Sequence, residues 1–270
     1  MGVINVSPDS FSGDGLASVD DAVEQARRFV DEGADILDVG GQSTRPGSQK
    51  TEAGFDEIPA EEETRRVVPV IERVRAALAE TPISVDTYKP LVARAALGAG
   101  ADMLNDIWGF RRDQEIARIA AEHMAPAIVM HNQRGHAEAD VMAAIVEGLE
   151  DSVSIAATAG LSRERLIVDP GFGFGWRPEQ NMEMLRRLGE LRALGLPILV
   201  GTSRKSTIGA MLGGAAVEDR VFGTAASVAI AIANGADIVR VHDVAEMKQV
   251  AIVADAIVRG DWPAVEGAAL

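Results

Sequence analysis

The chain has 270 residues, 47% of them hydrophobic, and a formal net charge of −15. That composition marks a globular chain, and the acidic excess argues against non-specific nucleic-acid binding, which needs a basic surface. Lack of cysteine excludes disulfides and thiolate metal sites, and no apolar run reaches membrane-spanning length. A cytoplasmic protein is therefore expected, binding neither nucleic acid nor membrane. No signal peptide is evident; the first residues already read as a strand, so any leader would precede Met1.

In chain order, GVIN reads as a short buried strand that gives way after Asn5 to a polar loop, SPDSFSGDG, with one aromatic residue, Phe11. Val19–Glu32 then carries Ala22, Val23, Ala26, Phe29 and Val30 at helical spacing. The apolar runs ADILDVG, PISVD, ADMLND, PAIVMH, RLIVD, PILVGT and DIVRVH follow as strands. The helices expected between and after them are Ala60–Leu78, Pro90–Leu97, Gln114–His123, Val141–Ala159, Glu179–Leu191, Val221–Ala233 and Val244–Val258. Eight strands alternating with eight helices imply parallel pairing through crossovers, and this length suits a (β/α)8 TIM barrel. Gly-Ala-Asp recurs at residues 33, 100 and 235, each time between a helix and a strand. Nothing divides the chain, so one domain over residues 1–270 is expected.

A barrel places its chemistry at the C-terminal ends of its strands. Those ends carry Asn5, Asp38, Asp86, Asn105 with Asp106, His131 with Asn132, Asp169, the run Thr202 to Ser206, and Arg240 with His242. An Asp or Asn in such a place is often a turn former or helix cap. Eight polar strand ends on one rim are harder to explain that way. Asp86, Asn105 and Asp169 can read a flat heterocycle bearing N–H donors. Arg45, Lys205, Arg240 and His242 suit phosphate or pyrophosphate, and Asn5 suits a hard cation such as Mg²⁺. Residue types alone thus point to an enzyme for a polar heterocycle and a phosphorylated group.

The ordered motifs GVINVSPDSFSGDG, DVGGQSTRPGS, SVDTYKP, LNDIWGF, VMHNQRG, VDPGFGFG, GTSRKSTIG and VRVHDV resemble those of the dihydropteroate synthase family. The resemblance implies a pterin-binding barrel that joins 6-hydroxymethyl-7,8-dihydropterin diphosphate to 4-aminobenzoate. It assigns the pterin to Asp86, Asn105, Asp169, Lys205 and Arg240, and the diphosphate with its Mg²⁺ to Asn5, Arg45, Arg240 and His242. The aminobenzoate falls to Phe11, Thr44, Pro46, Phe174, Lys205 and Ser206, with Phe11 as a lid. Asp86, Asp169, Lys205 and Arg240 would be the catalytic groups. A homodimer through the last helices and ordinary sulfonamide sensitivity are also implied. Other readings are a corrinoid-dependent pterin methyltransferase, which has no reason to keep STRPG or the SRKS and RVH cations, and a pterin-binding paralogue without activity.

Three departures from the family pattern stand out. Gln42 replaces a frequent Glu, Trp176-Arg177 follows DPGFGFG, and Thr207 follows SRKS. Trp176 is expected as a surface substitution, and Thr207 as a sign of looser packing behind Lys205.

Overall fold

The computed structural model describes residues 1–6, 18–43, 57–134 and 140–260. Within them eight parallel strands form: β1 (Gly2–Asn5), β2 (Leu37–Gly40), β3 (Ile83–Asp86), β4 (Met103–Asp106), β5 (Ala127–Met130), β6 (Leu166–Asp169), β7 (Leu199–Val200) and β8 (Ile238–Val239). The first six make one continuous sheet in sequence order, and β7 pairs with β8. Two parallel bridges, Val168–Ile198 and Gly2–Val241, close the circuit. All eight expected strands are present, and the architecture is a (β/α)8 TIM barrel.

The helices among the described residues are α1 (Val19–Asp31), α2 (Ala60–Ala77), α3 (Pro90–Gly98), α4 (Glu115–Glu122), α5 (Val141–Thr158), α6 (Pro178–Arg186), α7 (Ser206–Met211), α8 (Val221–Ala233) and α9 (Val244–Arg259). Two differ from expectation. The helix expected at Glu179–Leu191 stops at Arg186 and continues as a 3₁₀ segment, Leu188–Leu194, that ends on a left-handed Gly195. Helix α7 was not expected, because its six residues are too few to show an apolar period. The Gly-Ala-Asp echo is structural: Gly33, Gly100 and Gly235 take φ of 94°, 109° and 104° between a helix and the next strand, a conformation that costs other residues more.

Alternation along each strand sorts the side chains. Leu37, Val39, Ile83, Val85, Leu104, Val129 and Val168 join the main core beneath the helices. The intervening residues face inward, where Ile128 and Leu199 form a small apolar floor. Toward the C-terminal rim the interior turns polar. The register sets Asn5 beside Gly40, Gly40 beside Asp86 and Asp86 beside Asn105, so three of the expected site residues, Asn5, Asp86 and Asn105, lie at neighbouring strand ends around Gly40. No helix among the described residues is long and apolar enough to cross a membrane.

Candidate active site

At that rim lies a cavity of about 370 Å³ whose wall includes Asn5, Asp86, Phe174, Lys205, Ser206, Arg240 and His242. These seven expected site residues come from β1, β3, the loop after β6, and the β7 and β8 ends. Asn105 and Asp169 are buried beside the cavity rather than on its wall. Phe11, Thr44, Arg45 and Pro46 lie outside the described residues.

The charge of the wall reverses that of the chain. Arg134, Arg204, Lys205, Arg220 and Arg240 line it, and Asp86 is the one carboxylate among its described residues. Such focusing makes an anion site on an acidic protein.

Arg240 organises the floor. Its Nε donates to Asp38 Oδ2 over 2.6 Å and its Nη2 to Asp86 Oδ2 over 2.7 Å. Asp38 Oδ2 also accepts from Asn105 Nδ2 at 3.2 Å. Burial pushes the Asp86 carboxyl up to about 7, although the Arg240 charge pulls it down. Burial likewise raises Asp169 to about 6, against the backbone N–H of Gly171 and the nearby Lys205 and Arg240. The Lys205 ammonium is drawn down to about 7, first by burial and then by Arg240, with Asp169 opposing. Its Nζ sits 4.2 Å from the centre of the Phe174 ring, and the Arg134 guanidinium lies 4.7 Å from the same centre. His242 is fixed by Ser203, whose Oγ accepts the His242 backbone N–H at 3.1 Å and lies 2.9 Å from Nδ1.

In the sequence Asp38 is recognisable only as a polar strand end. Its part as the buried acceptor for both Arg240 and Asn105 depends on pairing across the barrel, which no local pattern reveals. Arg204 belongs to the expected strand-end run Thr202 to Ser206 but carries no separate role there; Arg134 is marked only by the VMHNQRG motif, and Arg220 by no sequence signal. Asp106 has a local task, capping the turn after β4 through the backbone N–H groups of Trp108 and Phe110, both at 2.8 Å.

Two expectations about departures are corrected. Trp176 is 8% exposed, belongs to the main core and stacks on His131 with ring centres 5.7 Å apart, so it is a core residue and not a surface one. Thr207 is buried and accepts from Asn181 Nδ2 at 3.0 Å; Asn181 Oδ1 in turn accepts from Gly173 N at 2.6 Å. The hydroxyl therefore ties the Lys205 helix to the Phe174 loop instead of loosening it.

Fold and rim together define a barrel enzyme with a cationic ligand cleft at its strand C-termini. Residues 1–242 match the family described as pterin binding enzyme. A dihydropteroate synthase of Clostridium beijerinckii is 44% identical over 96% of this chain and 94% of its own length. Among solved structures, a Clostridium difficile dihydropteroate synthase obtained in the presence of pteroic acid is 46% identical, with 96% of each chain covered and a TM-score of 0.88. The Xanthomonas albilineans dihydropteroate synthase with 4-aminobenzoic acid is 43% identical over 95% of this chain and 92% of that one, with a TM-score of 0.86. The chain belongs to the pterin-binding enzyme family and, within it, to the dihydropteroate synthases.

Proposed function

We propose that this chain, as one barrel domain over residues 1–270, joins 6-hydroxymethyl-7,8-dihydropterin diphosphate to 4-aminobenzoate, releasing 7,8-dihydropteroate and pyrophosphate. The observation that carries the reading is the convergence of Asn5, Asp86, Lys205, Arg240 and His242 on one cavity.

Asp86, Asn105 and Asp169 read the pterin edge, with Arg240 against the ring. The bond between the pterin methylene carbon and the diphosphate oxygen breaks first, and its electron pair leaves with pyrophosphate. Arg45, Arg240 and His242 stabilise that departing charge. Asp86 and Asp169, both largely buried, stabilise the positive charge left on the pterin when they are ionised, since charges interact more strongly away from water. The aromatic amine, held by Phe11, Thr44, Pro46, Phe174, Lys205 and Ser206, attacks that carbon and loses a proton. Orientation accounts for more of this step than a strong base does.

The donor set suits Mg²⁺ shared with the substrate. No group of three or more His, Cys, Asp or Glu able to hold a metal occurs among the described residues. A side chain at Gly40 would stand 3.9 Å from Asn5 Oδ1 and 3.8 Å from Asp86 Oδ2, so the missing side chain leaves a small polar hollow there. Asn5 would hold the ion, with the diphosphate and water as its other ligands. When bound, Mg²⁺ supplies Lewis-acid stabilisation of the leaving group.

A second copy of the chain covers the apolar groove between α8 and α9, where Ala225, Ala229, Val253 and Ile257 lie together; Ile257 is 78% exposed. The protein works in the cytoplasm and is inhibited by sulfonamides. The test is pyrophosphate release from the two substrates with Mg²⁺. Lys205→Ala and Asp169→Asn should each cut turnover heavily in folded protein, and full activity in both would refute the assignment.

A further inference from the structure

We propose that Arg204 and Asp243 form a positioning pair that fixes Lys205 and His242 relative to each other. The inference rests on the synthase reading and gives that site its mechanical support. Arg204 takes φ of 56°, a left-handed conformation that a residue with a side chain holds only where its surroundings enforce it. They do so on several sides. The Arg204 backbone N–H donates to Thr224 Oγ1 over 3.1 Å, and its carbonyl accepts from Arg220 Nη1 at 3.0 Å. Its Nε donates to Asp243 Oδ2 over 3.0 Å and its Nη2 to Asp243 Oδ1. The two side chains are 21% and 13% exposed. A half-solvated single-contact ion pair contributes little; a bidentate, largely buried one also sets direction.

The geometry serves two consecutive residues with opposite duties. Arg204 reaches the loop after β8, while the Lys205 ammonium stands over the Phe174 ring in the cavity. In the facing loop His242 bonds Ser203 and the next residue, Asp243, bonds Arg204. The loops after β7 and β8 are thus zipped at two adjacent positions. Arg220 backs the zipper through a gap at Gly209, where a side chain would come within 2.6 Å of its guanidinium.

The experiment follows Lys205 with and without substrate. The chain has four lysines, at 50, 89, 205 and 248, so ¹³C-lysine NMR resolves each methylene beside the amine, with Lys205→Arg giving the assignment. In the wild type Lys205, facing Arg240, Asp169, Arg134 and Asp86, should titrate well below an ordinary lysine, at about 7. In Arg204→Gly, which accepts the backbone without strain, and in Asp243→Asn, its midpoint moves up by about a pH unit as it swings toward water. The kcat/KM for dihydropterin diphosphate falls roughly 10- to 100-fold in protein that circular dichroism shows to remain folded. Arg204→Lys restores neither, since a point charge cannot replace the fork. An unmoved Lys205 midpoint in folded Asp243→Asn overturns the proposal. Wild-type protein that titrates as described without turning over the substrates overturns the synthase reading and leaves the pair standing.

Discussion

Arg240 and Asp38 meet over 2.6 Å although 202 positions separate them in the chain. Asp38 is fully buried, so its charge needs this partner. Removing one member of a buried pair leaves the other uncompensated, at a cost of about 3–5 kcal/mol. Asp38→Ala should lower stability by that order. Asp38→Asn should keep the fold but let Arg240 turn, weakening pterin diphosphate binding. Denaturant titration and isothermal calorimetry check the two effects; pterin binding unaltered in Asp38→Asn would refute the anchoring role.

Stability should depend on pH through the same groups. Asp86 and Asp169 rise from an ordinary 3.8 to about 7 and about 6. Each therefore contributes stability that is present below 3.8 and lost as pH rises through those values. Lys205 falls from 10.5 to about 7, so its contribution is present above 10.5 and lost as pH falls toward 7. Unliganded protein should show a local minimum of unfolding free energy near neutrality. Asp86→Asn should flatten the acid side and Lys205→Met the alkaline side; identical pH profiles in all three proteins would remove the basis for this account.

Gln42 is more than a lost charge. Its Nε2 donates to the Tyr88 hydroxyl at 2.9 Å, while its Oε1 accepts from Lys89 Nζ at 2.6 Å and Ile58 N at 3.1 Å. Tyr88 in turn donates to Glu57 at 2.6 Å. A glutamate at 42 could accept both bonds but could not donate to Tyr88. Gln42→Glu should cost about 1 kcal/mol. It should also shift the ring resonance of ¹³C-labelled tyrosine, which is unambiguous because the chain has one tyrosine. An unshifted resonance would show that the amide does not orient that hydroxyl.

Trp176→Ala should be costly. Truncating a buried indole removes packing worth about 3–5 kcal/mol and uncovers the face of His131. Trp176→Phe should recover most of the loss. Thermal unfolding measures both; an alanine variant as stable as the wild type would return Trp176 to the surface.

Ile257→Asp should produce a monomer on light scattering with little change in fold, since the side chain is already exposed on one chain. A dimer that persists at low concentration would place the interface elsewhere.

The strands were legible because each is a short apolar run closed by a polar residue, and parallel strands buried on both faces read that way. Helix α1 was legible from its apolar stripe, whereas α7 was hidden by its length. Seven wall residues were readable from motifs, but their partners were not. Asp38, Arg134 and Asp243 matter through contacts the closed barrel creates, and Trp176 looked peripheral because glycines and a proline surround it in the sequence.

Lys205, Arg240 and His242 all belong to the two-stranded part of the wall and its loops, which single bridges join to the six-stranded part. Asn5 stands on the far side of one of those seams, at the end of β1. A diphosphate gripped by His242 and by a cation on Asn5 would act as a rivet across the joint. Substrate would then complete the staves of the barrel as well as occupy it, and amide exchange in β8 should slow in step with occupancy.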